Sequence, residues 1–120
     1  MMPASIPASP SDLLECSASR AANLPPLLHA LWHEAHGDWE RAHSITQNLE
    51  DNDAAWVHAY LHRKEGDSFN AGYWYRRAGR SAFTGSLHAE WTALATHLLS
   101  REQTTSRRAA AGMGVPAIPE

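Results

Sequence analysis

The sequence predicts an all-α protein in which five helices form a short solenoid of two helical hairpins and a capping helix. The first observation is an internal repeat, because residues 29–44 and 58–79 align at an offset of 29 residues. The second is a Gly-Asp pair within each copy, flanked on both sides by apolar residues at helical spacing. The identical positions are His29/His58, Ala30/Ala59, His33/His62, Gly37/Gly66, Asp38/Asp67 and Ala42/Ala71. Helix–corner–helix units of this kind bury their apolar faces by stacking on one another.

The length and composition bound the domain organisation. A chain of 120 residues favours a single domain. We predict a disordered N-terminal tail over residues 1–22, which are rich in Pro, Ala and Ser. A helical-repeat domain is predicted over residues 23–101, followed by a disordered C-terminal tail over residues 102–120. The single cysteine, Cys16, excludes an intramolecular disulfide and a cysteine-rich zinc site.

The first predicted hairpin follows from a proline pair and a glycine. Its first helix begins at Leu24-Pro25-Pro26, since proline is tolerated in a first turn, where its missing N–H would be unpaired anyway. Gly37 ends this helix, because glycine accepts the left-handed conformation of a C-terminal cap. Asp38 is the expected N-cap of a second helix, which runs from Trp39 to about Leu49.

The second hairpin and the capping helix carry similar signals. The remaining predicted helices are Ala54 to Glu65, Phe69 to Ala78 and Leu87 to about Arg101. Gly66-Asp67 repeats the corner, and Gly79 closes the fourth helix. Ser86 is the expected N-cap of the fifth helix. His88-Ala89 echoes the start of the two earlier copies, so the fifth helix is predicted to be a partial third copy that caps the stack.

The order of small residues, corner and aromatic resembles a tetratricopeptide-type helical hairpin. The residues that carry this resemblance are Ala59, Gly66, Asp67, Ala71, Tyr75 and Ala78. The upstream copy keeps Gly37, Asp38 and Ala42 but has Thr46 and Leu49 at the next two positions. The repeat is shorter than the usual ~34 residues and lacks the proline at the repeat end. The resemblance covers about residues 24–101, which are also similar to small bacterial tetratricopeptide-like proteins.

This resemblance implies a non-enzymatic interaction module whose first helices form a groove for a peptide or a partner protein. We predict that the groove uses Trp32, Trp56, Tyr60 and Arg63. Trp74 and Tyr75 are expected to be structural instead. Five tryptophans are many for five helices to cover, so an excess aromatic surface is expected to bind the partner or to support a homo-oligomer.

Two histidine pairs at i, i+4 spacing indicate an alternative function, the binding of a metal or a small ligand. The pairs are His29/His33 and His58/His62, and each pair lies on one face of its helix. If repeat stacking brings the two helices together, four imidazoles converge on zinc or another transition metal. The other interpretation is that these histidines are packing residues between helices, with no cofactor bound.

Other classes of function have little support. The formal net charge of −3 argues against nucleic acid, although Arg63, Lys64, Arg76, Arg77 and Arg80 lie near aromatics. No glycine-rich phosphate loop or nucleophile elbow occurs, so no catalytic residue is predicted. No apolar run reaches the ~20 residues of a membrane span, and the N-terminus lacks the pattern of a secretory signal. A cytoplasmic location is therefore the default expectation.

Overall fold

The computed structural model describes the backbone of residues 6–113 and the side chains of residues 6–102. This part of the chain contains seven helices and no strand, which confirms the all-α prediction. The helices are α1 Pro10–Glu15, α2 Ala18–Ala21, α3 Pro26–Ala35, α4 Trp39–Gln47, α5 Asn52–Lys64, α6 Ser68–Ala78 and α7 Leu87–Met113.

The repeated corners have nearly identical geometry. Gly37 and Gly66 have φ of 90° and 89°, in the left-handed region that side chains with a Cβ rarely adopt. Asp38 then caps α4 by accepting a hydrogen bond from the Arg41 N–H at 3.0 Å. Asp67 caps α6 in the same way, accepting from the Asn70 N–H at 3.1 Å. The local signals read from the sequence therefore act as predicted.

Successive helices pack against one another along the chain. α3 lies on α4, α4 on α5, and α5 on α6. The small residues of the repeat, Ala42, Ala59 and Ala71, are buried at these contacts and let the helix axes approach closely. α7 packs against both α3 and α5, and its Trp91, Leu94 and Leu98 belong to the hydrophobic core.

The prediction of a disordered tail over residues 1–22 is wrong for residues 10–21. Ser9 caps α1 and Ser17 caps α2, each accepting a backbone hydrogen bond at 3.2 Å. Leu13 is completely buried, and α1 packs against α3 and α7. Leu13, Cys16 and Ala21 are all buried and anchor this segment against helices from distant parts of the sequence. Residues 1–5 lie outside the described residues.

α7 extends past its predicted end near Arg101. Its N-terminus begins as predicted, with Ser86 Oγ accepting from the Ala89 N–H at 3.0 Å. The backbone stays helical to Met113, so the predicted disordered tail begins inside this helix. Residues 114–120 lie outside the described residues.

None of the helices within residues 6–113 has the length and apolar character needed to cross a membrane.

Candidate functional site

The residues predicted to line a groove are mostly covered by the protein itself. Trp56 and Tyr60 are buried, and Arg63 is partly buried. Trp56 and Arg63 bond to Glu90 of α7, whereas Tyr60 bonds to Glu34 of α3. In this structure α7 therefore occupies the face of α5 on which the sequence predicts a groove.

Glu90 is the centre of the contact between α5, α6 and α7. Its carboxylate is fully buried. Oε2 accepts hydrogen bonds from Trp56 Nε1 at 3.0 Å and from the Tyr75 hydroxyl at 2.6 Å. Oε1 accepts from Arg63 Nη1 at 2.8 Å. Burial and the bond to Glu90 raise the pKa of Tyr75, which keeps its hydroxyl a donor. Three donors on three side chains thus compensate one buried negative charge.

A second buried acid joins α3 to α5. Glu34 is only 2% exposed and accepts a hydrogen bond from the Tyr60 hydroxyl at 3.0 Å. Lys64 forms an ion pair with the other oxygen of the same carboxylate. Burial and the neighbouring Glu34 raise the pKa of Tyr60. Glu34 is therefore a buried acceptor between α3 and α5, although it lies near the end of α3, where acids are commonly solvated.

The other tryptophan predicted to line the groove, Trp32, has a structural partner as well. It is partly buried, and its Nε1 donates a hydrogen bond to the Cys16 carbonyl at 3.0 Å. Its ring stacks on His36 with a centroid distance of 4.0 Å. Trp32 therefore fastens the N-terminal segment to α3 and is only partly exposed to a partner.

An acid–histidine pair lies at the start of α5. Asp53 is bonded to His97 Nε2 at 2.9 Å and also paired with Arg101 of α7. Both Asp53 and His97 line a groove of about 670 Å³ beside Arg80 and Phe83. Among residues 6–102 no hydroxyl or thiol bonds to His97, so the pair lacks the nucleophile of a hydrolytic triad. Its evident role is to hold α7 against α5.

The two predicted histidine pairs do not converge. His33 Nε2 lies 2.9 Å from His29 Nε2, so these two form a pair on α3. Among residues 6–102, no set of three ligand atoms within 4.8 Å of one another joins this pair to His58 or His62. The four-histidine site is therefore wrong in its geometry, although the i, i+4 proximity within each pair is present.

Instead, a histidine of α4 completes a cluster with the pair on α5. His43, His58 and His62 place one ring nitrogen each within 4.8 Å of one another, and we call these three residues the histidine cluster. His43 Nε2 and His58 Nε2 lie 3.0 Å apart. Burial lowers the pKa of His58 to about 4, reinforced by His43 and His62. Burial also lowers the pKa of His43, so both imidazoles are neutral at pH 7.

Two tryptophans enclose the histidine cluster. Trp74 stacks on His58 with a centroid distance of 3.9 Å, and Trp39 stacks on His43 at 4.8 Å. Trp39 Nε1 donates to the Leu61 carbonyl at 2.8 Å, which fixes its ring. Nδ1 of His62 is buried without a hydrogen-bond partner, and the nearby Glu65 Oε1 lies 3.3 Å away. The cluster is thus packed between two tryptophan rings and contains one nitrogen, His62 Nδ1, that forms no hydrogen bond within the protein.

The outer side of α6 carries two exposed aromatic side chains. Phe69 is 83% exposed and Tyr73, one turn later, is 42% exposed. Arg77 follows one further turn along, and its Nη1 donates to the Tyr73 hydroxyl at 3.2 Å. Its guanidinium also lies 5.2 Å from the Trp74 ring centroid. We call Phe69, Tyr73 and Arg77 the α6 face.

Sequence reasoning missed several of these residues for identifiable reasons. Glu90 and Glu34 carry no local signal of burial, because acids at helical surface positions are ordinary. His43 has no partner at i, i+4 and no counterpart in the second copy, where Gly72 stands. One feature of the sequence could have indicated that Phe69 is exposed. It lies in the first turn of α6, among the polar residues Asp67, Ser68 and Asn70.

Comparisons with protein-family models, with curated proteins and with solved structures find no match to this chain.

Proposed function

We propose that this protein is a small non-enzymatic interaction module, built on tetratricopeptide-type hairpins, that binds a protein segment on the α6 face. The observation that carries this proposal is the exposure of Phe69, 83% of whose surface faces solvent. A large apolar side chain left open beside a second aromatic is the typical composition of a binding surface. The hairpin arrangement is supported by the two Gly-Asp corners and by the sequential packing of α3 to α6.

The α6 face lies on a different helix of the hairpin from the binding groove of tetratricopeptide proteins. A tetratricopeptide groove uses the first helix of each hairpin, but here α7 already covers that side of α5. α6 is the second helix of its hairpin; it packs mainly against α5, and its Tyr75 also bonds to Glu90 of α7. Its outer side, which carries Phe69 and Tyr73, is exposed and available to a partner.

Charge indicates the chemistry of the partner. α6 contains no acidic residue, whereas Arg76, Arg77 and Arg80 are exposed at its C-terminal end. The whole chain is acidic, with a formal net charge of −3, so this basic end is a local feature. A segment with an apolar anchor for Phe69 and an acidic residue for Arg77 matches the α6 face in both respects.

The expected gain in affinity follows from burial of one ring. Fully burying a phenylalanine side chain is worth about 1.5–3 kcal/mol, or roughly a 10- to 150-fold change in affinity. Replacing Phe69 with serine is therefore expected to weaken binding at least about tenfold. The replacement should leave the thermal stability nearly unchanged, because the side chain makes few contacts within the protein.

A displayed library of random short peptides, selected on tag-free protein, tests the proposal. Enriched peptides should combine apolar and acidic residues and shift the amide resonances of Phe69, Tyr73 and Arg77. Synthetic peptides should lose affinity for Phe69→Ser and for Arg77→Glu. The matched control is Leu14→Ser, which removes another exposed apolar side chain away from this surface and should leave binding intact.

Two outcomes would overturn the proposal. The first is binding that Phe69→Ser leaves unchanged or that maps to another surface. The second is concentration-dependent self-association abolished by Phe69→Ser, which would make a second copy of this chain the occupant of the α6 face. Sedimentation velocity on the wild type and this variant distinguishes the second outcome from peptide binding.

A further inference from the structure

We propose that the histidine cluster is a binding site for a divalent transition metal ion, with zinc as the reference ion. The three ligands would be His43 of α4 together with His58 and His62 of α5. This site is separate from the α6 face and does not depend on the proposed partner binding. It also differs from the sequence-based set, because it replaces His29 and His33 with His43.

The spacing of the nitrogens fits a metal ion after small adjustments. With Zn–N bonds of 2.0–2.1 Å, the nitrogens of a tetrahedral site lie about 3.3–3.4 Å apart. His43 Nε2 and His58 Nε2 are 3.0 Å apart, so the ion would require them to separate slightly. All three ligand atoms already lie within 4.8 Å of one another. The three ligand atoms are therefore grouped closely enough to share one ion once the two Nε2 atoms move apart by about 0.3 Å.

The scaffold favours this arrangement over random surface histidines. His58 and His62 are one turn apart on α5, which gives two ligands from one rigid element. His43 comes from the helix packed against α5. Trp39 and Trp74 stack on the outer sides of the rings and restrict their rotation. Ligands held in place before binding lose less conformational entropy when the ion arrives.

The neighbouring groups suit a cation. His62 has a buried Nδ1 without a hydrogen-bond partner, and a buried polar atom of this kind is unusual. Glu65 Oε1 is 3.3 Å from that atom, and His62, Glu65 and Asp67 form a second close group of ligand atoms. When Nε2 of a histidine binds a metal, its Nδ1–H commonly donates to a carboxylate. Glu65 is placed to accept that bond.

The choice of ion class follows from the ligands. Three imidazoles and an adjacent carboxylate favour Zn²⁺, Cu²⁺, Ni²⁺ or Co²⁺ over Mg²⁺ and Ca²⁺, which prefer oxygen ligands. Zinc is the best first probe because it takes tetrahedral nitrogen sites without redox chemistry.

Zinc binding to tag-free protein, measured by calorimetry and by equilibrium dialysis at pH 7.5, tests the site. The expected result is one zinc per chain with a dissociation constant in the micromolar range or below. His43→Ala should weaken binding at least tenfold. The matched control is His33→Ala, since His33 also belongs to a histidine pair with nitrogens 2.9 Å apart but lies outside the cluster. This control should bind zinc as the wild type does.

Imidazole ¹⁵N spectra of the wild type test zinc coordination by the histidine cluster directly, even if a variant fails to fold. Without metal, the 3.0 Å contact requires one of the two Nε2 atoms of His43 and His58 to carry a proton. Zinc should displace that proton to Nδ1 and give both Nε2 atoms the shift of a metal ligand. The proposal is wrong if zinc at 100 μM, about a hundred times a micromolar dissociation constant, leaves these resonances unchanged. It is equally wrong if His33→Ala abolishes binding while His43→Ala does not.

Discussion

Replacing Glu90 with glutamine is expected to lower the free energy of unfolding by about 3 kcal/mol. Glutamine has nearly the same shape, so the change removes charge without leaving a cavity. Its carbonyl oxygen can keep the hydrogen bonds from Trp56 and Tyr75, now at 3.0 and 2.6 Å. Its amide NH₂ replaces Oε1 and would face Arg63 Nη1, so that two donors oppose each other where a 2.8 Å ion pair stood.

The magnitude follows from the burial of the two partners. Loss of a hydrogen bond between charged groups costs about 1.5–3 kcal/mol, and the two remaining bonds weaken when the acceptor becomes neutral. Arg63 is 26% exposed, so its guanidinium can recover part of the loss by turning to water. The total therefore falls at the lower end of the ~3–5 kcal/mol measured for breaking a buried pair. For 120 residues this corresponds to a Tm lower by about 12 °C.

Urea unfolding and differential scanning calorimetry at pH 7.5 measure the effect. Glu40→Gln is the matched control, because Glu40 is exposed on α4 and should change the stability by less than about 0.5 kcal/mol. A double-mutant cycle with Arg63→Met isolates the pair itself. Since the second change removes the opposing donor, the coupling between the two sites should be about 2 kcal/mol.

Two results would refute this reasoning. One is a Glu90→Gln protein within about 0.5 kcal/mol of the wild type, which would mean that the carboxylate is not the acceptor at this contact. The other is additive behaviour of Glu90→Gln and Arg63→Met, which would mean that the two residues do not interact in solution.

Three further predictions concern the rest of the fold. Because burial lowers the pKa of His58 to about 4 from 6.5, its contribution to stability should be complete above about pH 6.5 and be lost as the pH falls toward 4. The loss is at most about 3 kcal/mol, measured by urea unfolding with chelator, and His58→Gln should flatten the slope. Leu13→Ala should lower the free energy of unfolding by about 2–5 kcal/mol in the same assay, because Leu13 is completely buried. Leu14→Ala, at an exposed position, should lower it by less than about 0.5 kcal/mol. Equal effects would mean that α1 does not pack against the rest of the protein. Gly66→Ala should cost about 1–2 kcal/mol because φ is +89°, whereas helical Gly72→Ala should be neutral or stabilising; the reverse order of melting temperatures would contradict the corner geometry.

The sequence by itself determined the features that depend on neighbouring residues. The corners at Gly37 and Gly66 and the caps at Asp38 and Asp67 involve contacts within three or four positions. The helical spacing of apolar residues likewise predicted the ends of the helices from α3 to α7 to within a few residues. The one exception is the C-terminal end of α7, which extends past the predicted end. Such signals are readable because the interactions that produce them are local.

Only the tertiary structure decided which residues share a site. The repeat suggested that equivalent positions meet, which would join His33 to His62. In the fold α4 lies next to α5, so His43 reaches His58 across that contact instead. Burial of Glu90 and Leu13 has the same origin, since their neighbours belong to helices far away in the chain. A single helix does not show which of its faces another helix will cover, because that choice depends on the packing of all the apolar faces together.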